Sequence, residues 1–184
     1  EAGATISCDL NYRGKLWSRE DAGKAMGELC RYVDVCIGNE SDAADVFGMK
    51  LRNTQVVKGQ LDMDEYRKLA EMLMDRFPFR IVAMTLRGSI SASDNDWSAM
   101  LYDGEHCYFS TKYHLHMVDR VGGGDAFAGG LIHALAEGRA HEYALEFAVA
   151  ASALKHSING DFNLVTSAEV ETLMNGDGSG RVQR

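Results

Sequence analysis

The chain has 184 residues, 46% of them hydrophobic and 25% charged, which is enough for a well-packed core and ordinary for a soluble globular protein. A net charge of −8 argues against nucleic acid or an anionic membrane as its main partner. The four cysteines lack Cys-x-x-Cys spacing, and neither a signal-peptide pattern nor an apolar run of membrane-spanning length occurs, so a reducing cytoplasm is the expected compartment.

In chain order, Thr5 to Leu10 reads as a strand and Glu20 to Arg31 as a helix. Val33 to Ile37 is a mostly apolar run that suits a buried strand. It leads to a short helix, Glu40 to Phe47, with Asn39 placed to cap it and Gly48 to end it. From Asp64 to Arg76, Leu69, Met72 and Leu73 recur at helical spacing, and Pro78 stops the pattern. Ile81 to Leu86 is a second buried strand. Trp97 to Tyr102 and His106 to Ser110 flank Asp103-Gly104, a hairpin signal. Tyr113 to Val118 is extended and puts His114 and His116 on one face, without a third ligand for a metal. Helices then follow over Asp125 to Glu137, Glu142 to Lys155 and Ser167 to Met174, with a flexible tail from about Gly176. Strands alternating with helices predict one α/β domain with a mainly parallel sheet, its ligand site at the carboxyl ends of the strands.

The densest chemistry lies where the strand ending at Val118 meets a helix. Asp119-Arg120-Val121-Gly122-Gly123-Gly124-Asp125 puts bare backbone amides and a carboxylate at the positive end of that helix. Such a turn suits an anion such as a phosphate, and the carboxylate would face a hydroxyl brought up to it. Neither a Walker A loop nor a dinucleotide fingerprint fits, because no Gly-Lys-Ser or Gly-Lys-Thr follows and Phe127 stands where the third glycine belongs. A tight turn followed by an ordinary helix is the competing reading. Upstream, strand alternation predicts Asp9, Asn11 and Arg13 on one side, with Arg13 as a planar cation for a carboxylate or phosphate. Its alternative is a surface ion pair.

The glycine string resembles the C-terminal motif of the ribokinase-like (PfkB) carbohydrate kinases, Asp-Thr-x-Gly-Ala-Gly-Asp-x-Phe. Asp119, Gly122, Gly124, Asp125 and Phe127 match it, while Arg120 and Gly123 depart from it. The Asp-Arg-Val-Gly-Gly-Gly-Asp form, with Asp9-Leu10-Asn11-Tyr12-Arg13 upstream and Lys155 to Asp161 downstream, is similar to the 2-keto-3-deoxygluconate kinases within that family. The resemblance implies a three-layer ribokinase-like fold. It makes Asp125 the catalytic base and the amides of Gly122, Gly123, Gly124 and Asp125 the anion hole. Arg13, with Asn11 and Asp9 beside it, is implied to bind the sugar acid. Asn39 and Asp42 correspond to an Asn-x-x-Glu motif that organises Mg²⁺ and its waters around ATP; the shorter aspartate favours contact through water. Gly88 and Ser89, after Thr85-Leu86-Arg87, would offer an amide and a hydroxyl to the nucleotide, and Ala150 lies on the helix expected to border the adenine. Close helix packing explains Ala150, Ser152 and Ala153 equally well.

The implied reaction is ATP-dependent phosphorylation of the terminal hydroxyl of 2-keto-3-deoxygluconate. The family carries an N-terminal portion with a glycine-glycine motif, part of the sugar pocket and a β lid, so the chain is expected to be a C-terminal fragment. A kinase for ribose, fructose or a related keto-acid, a nucleotide-binding fragment without catalysis, and a homo-oligomerising piece are the alternatives.

Overall fold

A computed structural model describes residues 3–51, 63–91 and 93–176. They form two compact units, one from Glu1–Gly88 with Ala99–Phe109, the other from Ser89–Ser98 with Ser110–Arg184.

The first unit holds β1 (Ser7–Asp9), α1 (Arg19–Leu29) with a 3-10 turn at Cys30–Tyr32, β2 (Val35–Gly38), α2 (Glu40–Phe47) and α3 (Met63–Arg76). It also holds nearly all of β3 (Ile81–Ser89), the second half of β4 (Asp94–Tyr102), and β5 (Cys107–Phe109). β1, β2 and β3 run parallel, with Cys8 opposite Cys36 and Cys36 opposite Val82. β4 and β5 form the expected hairpin, antiparallel with Met100 opposite Phe109. Gly104 at φ 95° makes its turn, and Asp103 Oδ1 accepts the amides of Glu105 and His106 at 3.0 and 2.7 Å. On α3, Tyr66, Leu69, Ala70 and Leu73 share one face and are buried against a core that includes Val82, Met84 and Leu86. Ser18 caps α1, and α2 ends on Gly48 in the left-handed region at φ 72°.

The second unit contains the first half of β4, β6 (Tyr113–His116), α4 (Gly123–Ala136), α5 (His141–Lys155) and α6 (Ser167–Asn175). β6 runs antiparallel to β4, pairing Asp94 with His116 and Asp96 with His114. Both pairs join imidazole to carboxylate, at 2.8 Å for His116 and 2.5 Å for His114, so these histidines serve the surface of the sheet. α5 is buried nearly all round because its interior is alanine-rich, and α4 packs against it. At the crossing, a Cβ on Gly130 would stand 3.1 Å from Ala148 Cα and 3.2 Å from Ala151 Cβ. Thr166 and Glu169 form a reciprocal capping box at the start of α6.

The structure refines the expected sheet and moves two strand ends. The sheet is mixed, with parallel pairing in β1–β2–β3 and antiparallel pairing of β4 with β5 and β6. β1 stops at Asp9, because Asn11 adopts φ 38°, and its amide turns back to Asp9 Oδ1 at 3.1 Å. β3 continues past Leu86 to Ser89; the apolar run marks only the stretch buried on both faces, after which exposure sets in. The tail expected from Gly176 lies, from residue 177 on, outside the described residues.

Candidate active site

The glycine turn in the second unit is built from Asp119 inward. Asp119 Oδ1 accepts the amide of Val121 at 3.0 Å and Oδ2 that of Gly160 at 2.9 Å. Those amides, together with the charge of Lys155, hold the Asp119 carboxyl below its ordinary range. Gly122 is the N-cap of α4 at φ 78°, and a Cβ there would lie 2.1 Å from the Asp161 carbonyl oxygen. No other residue fits that position without moving the chain. A Cβ on Gly123 would lie 2.5 Å from His156 Nε2. Gly124 differs, since a Cβ there would meet nothing within 4 Å.

The turn's amides divide differently: that of Gly122, although its α-carbon is crowded, reaches no acceptor among the described residues. Gly123 N–H donates to the Arg120 carbonyl at 3.4 Å, and its own carbonyl accepts the Ser152 hydroxyl at 2.8 Å. The N–H groups of Gly124 and Asp125 reach no acceptor among the described residues, and both residues are exposed. Asp125 makes no side-chain hydrogen bond or ion pair among those residues either. The first turn of α4 therefore presents two bare donors, an open approach and a carboxylate. That arrangement fits a phosphate better than a closed helix cap does. Beside it lies a cavity of about 520 Å³ lined by Gly122, Asp125, Gly129, His133, Asp161 and Asn163, among others. Asp161 thus shares a cavity with Asp125. The sequence points to Asp161 only by resemblance, as the end of the Lys155 to Asp161 stretch expected to close the nucleotide pocket, and its chemistry alone assigns it no role.

In the first unit, Asp9 ends β1 while Asn11 and Arg13 lie beyond it, so the alternation expected of a strand does not order the three. Arg13 is exposed, with its guanidinium on the Tyr12 carbonyl at 3.0 Å. Asn39 caps α2, accepting from Ser41 and Asp42 amides, while Asp42 Oδ2 accepts the Asn39 amide at 3.2 Å. Asp42 Oδ1 accepts the Tyr12 amide at 3.0 Å, tying the Asn11–Arg13 segment to α2. Burial raises the Asp42 carboxyl, against the pull of those two amides and of Arg13. Each oxygen of the Asp42 carboxylate thus already accepts one backbone amide. No cluster of three or more histidine, cysteine, aspartate or glutamate residues that could hold a metal occurs among the described residues.

Two nucleotide assignments change. Gly88 and Ser89 belong to β3 and not to a loop, and the Ser89 hydroxyl donates to Asn95 Oδ1 at 3.3 Å. Ala150 is fully buried and offers no surface to an adenine, so packing accounts for it.

Residues 1–163 match the sequence profile of the pfkB family carbohydrate kinases. The chain belongs to that family. A curated relative, 2-dehydro-3-deoxygalactonokinase of Haloferax volcanii, is 34% identical over 98% of this pfkB chain and 50% of its own length. Among solved structures, the 2-dehydro-3-deoxygluconokinase of Thermotoga maritima superposes with a TM-score of 0.88 at 44% identity, over 95% of this chain and 51% of the other. Ribokinase of Arabidopsis thaliana, complexed with ribose and ATP, gives a TM-score of 0.66 at 18% identity over 95% and 49%, which shows the shared ribokinase-like α/β fold. This pfkB chain thus spans about half the length of the relatives it matches. Among the described residues, no helix is long and apolar enough to cross a membrane.

Proposed function

We propose that the full-length protein transfers the γ-phosphoryl group of ATP to the terminal hydroxyl of 2-keto-3-deoxygluconate, giving the 6-phosphate and ADP. The reading rests on one observation above all: the exposed, unpaired Asp125 carboxylate beside the acceptor-free amides of Gly124 and Asp125. The names of the two relatives at 34% and 44% identity support the substrate class, a 2-keto-3-deoxy sugar acid. The cytoplasm is the compartment this chemistry suits, with the sugar acid and ATP as partners.

In this reading the substrate oxygen attacks the γ-phosphorus and the bond to the β-phosphate oxygen breaks. The hydroxyl proton passes to Asp125 late, once bond formation has acidified the oxygen. A positioned base of this kind contributes about 10²- to 10⁴-fold. The amides of Gly124 and Asp125 donate to the equatorial oxygens, and one such donor contributes roughly 10²- to 10³-fold. Gly122 and Gly123 also act through their missing Cβ atoms, which let the Asp161 carbonyl and the His156 ring close behind the turn. Asn39 and Asp42 would meet the waters of an Mg²⁺ ion carried with ATP, which would supply charge neutralisation when bound. Arg13 pairs with the sugar-acid carboxylate.

The test is ADP release by the full-length protein on 2-keto-3-deoxygluconate, 2-keto-3-deoxygalactonate, ribose and fructose, with product masses recorded. The two sugar acids are expected to have the highest kcat/KM. Faster turnover of ribose or fructose would reject the substrate class, and no turnover of any sugar would reject the kinase reading.

A further inference from the structure

Lys155 is the last residue of α5 and is completely buried, an unusual place for an ammonium group. A lysine that merely favoured the helix dipole would do so from the surface, where it keeps its hydration. Its Nζ instead donates to the Ile158 carbonyl at 3.1 Å, inside the loop that follows α5. Two residues later the same loop gives the Gly160 amide to Asp119 Oδ2. The loop is thus gripped on its carbonyl side by a cation and on its amide side by an anion.

The gripped loop is what stands behind the glycine turn. Its Asp161 carbonyl occupies the space a Gly122 side chain would need, and the His156 ring occupies that of Gly123. The His156 carbonyl accepts the amides of Val118 and Asp119 at 2.8 and 3.3 Å, joining the start of the loop to the residues leading into the turn. We propose that Lys155 is a positioning residue for phosphoryl transfer: with Asp119 it clamps the loop from His156 to Asp161 against Gly122 and Gly123, fixing where the Gly124 and Asp125 amides and the Asp125 carboxylate point. The role of the clamp in turnover rests on the kinase reading above; the clamp itself does not.

The experiment compares the wild-type full-length protein with Lys155→Met and Lys155→Gln, following amide exchange and steady-state kinetics. Both variants should exchange the Val121 and Gly160 amides at least about tenfold faster, through local opening. The Gly138 amide, bonded to Leu135 at the far end of α4, should be unaffected. kcat should fall about 10- to 100-fold, as expected for a misplaced reacting group. KM for ATP and for the sugar acid should stay within about threefold of wild type. Unchanged exchange at Val121 and Gly160 overturns the clamp, and faster exchange with wild-type kcat overturns the positioning role. Loss of cooperative unfolding in both variants assigns Lys155 to general stability and also overturns the proposal. If the wild-type protein phosphorylates no sugar, the kinase reading fails by itself and the exchange data still decide the clamp.

Discussion

Asp119 and Gly160 lie 41 residues apart, yet the Gly160 amide donates to Asp119 Oδ2 at 2.9 Å, so one carboxylate ties the entrance of α4 to the loop leaving α5. Its other oxygen holds Val121, one residue before the left-handed Gly122. A single side chain therefore fixes both ends of the turn.

Acid should weaken the Asp119 tie. The amides of Val121 and Gly160, and then the charge of Lys155, lower the Asp119 carboxyl from its ordinary 3.8 in the folded chain. Its contribution to stability is therefore present above that ordinary value and is lost as pH falls through the lower folded one. Thermal midpoints measured from about pH 5 down to about pH 2 should drop more steeply for wild type than for Asp119→Asn. Parallel curves would mean that Asp119 is not linked to folding.

Alanine at Gly122 and at Gly124 should have opposite signatures. Gly122→Ala puts a Cβ into the Asp161 carbonyl at φ 78° and should destabilise by about 2 kcal/mol or more. Gly124→Ala meets nothing within 4 Å and should be close to neutral for stability, while its methyl group crowds the anion and lowers kcat. Urea melts and initial rates separate the two, and equal destabilisation would contradict the described turn.

Asp125→Asn keeps the shape of the side chain and removes the carboxylate proposed to accept the proton. Calorimetry should find ATP affinity within about threefold of wild type while turnover falls about 10²-fold or more. Retained turnover would remove Asp125 from the chemistry.

Arg13→Ala should raise KM for the sugar acid about tenfold or more and leave KM for ATP nearly unchanged, since it deletes the proposed partner of the carboxylate. A neutral-sugar substrate, tested alongside, should be indifferent to the change. Equal losses on both substrates would argue against Arg13 as the specificity residue.

Thiol reactivity gives a check on the first unit. Cys8 is lowered by the Cys30 thiol hydrogen-bonded to it, whereas burial pushes Cys36 up and raises Cys107 to about 11. Iodoacetamide at about pH 8, read by peptide mass spectrometry, should label Cys8 first. Labelling of Cys36 before Cys8 would contradict the packing of β1 on β2.

Helices were legible in the sequence because their ends are written locally. Asn39 and Gly48 mark α2, and Thr166 with Glu169 marks α6. Strand ends were less legible, since β3 leaves the core at Leu86 but remains hydrogen-bonded to Ser89. The glycine string pointed to an anion site from spacing and resemblance. What it did not reveal was the division of labour: Gly122 and Gly123 are small because Asp161 and His156 press on them, and only Gly124 is open. That distinction depends on a loop more than thirty residues downstream, which no local pattern records. The burial of Lys155 and the left-handed Asn11 were hidden for the same reason.

The near-contact of Gly130 with Ala148 and Ala151 constrains what this sequence can become. Outward positions of α4 and α5 can drift, but growth at any of these three sites would wedge the pair apart. The tilt of α4 would change with it, and so would the aim of everything its first turn carries. Lineages that keep the chemistry are thus bound to keep these residues small, even though none of the three belongs to that first turn.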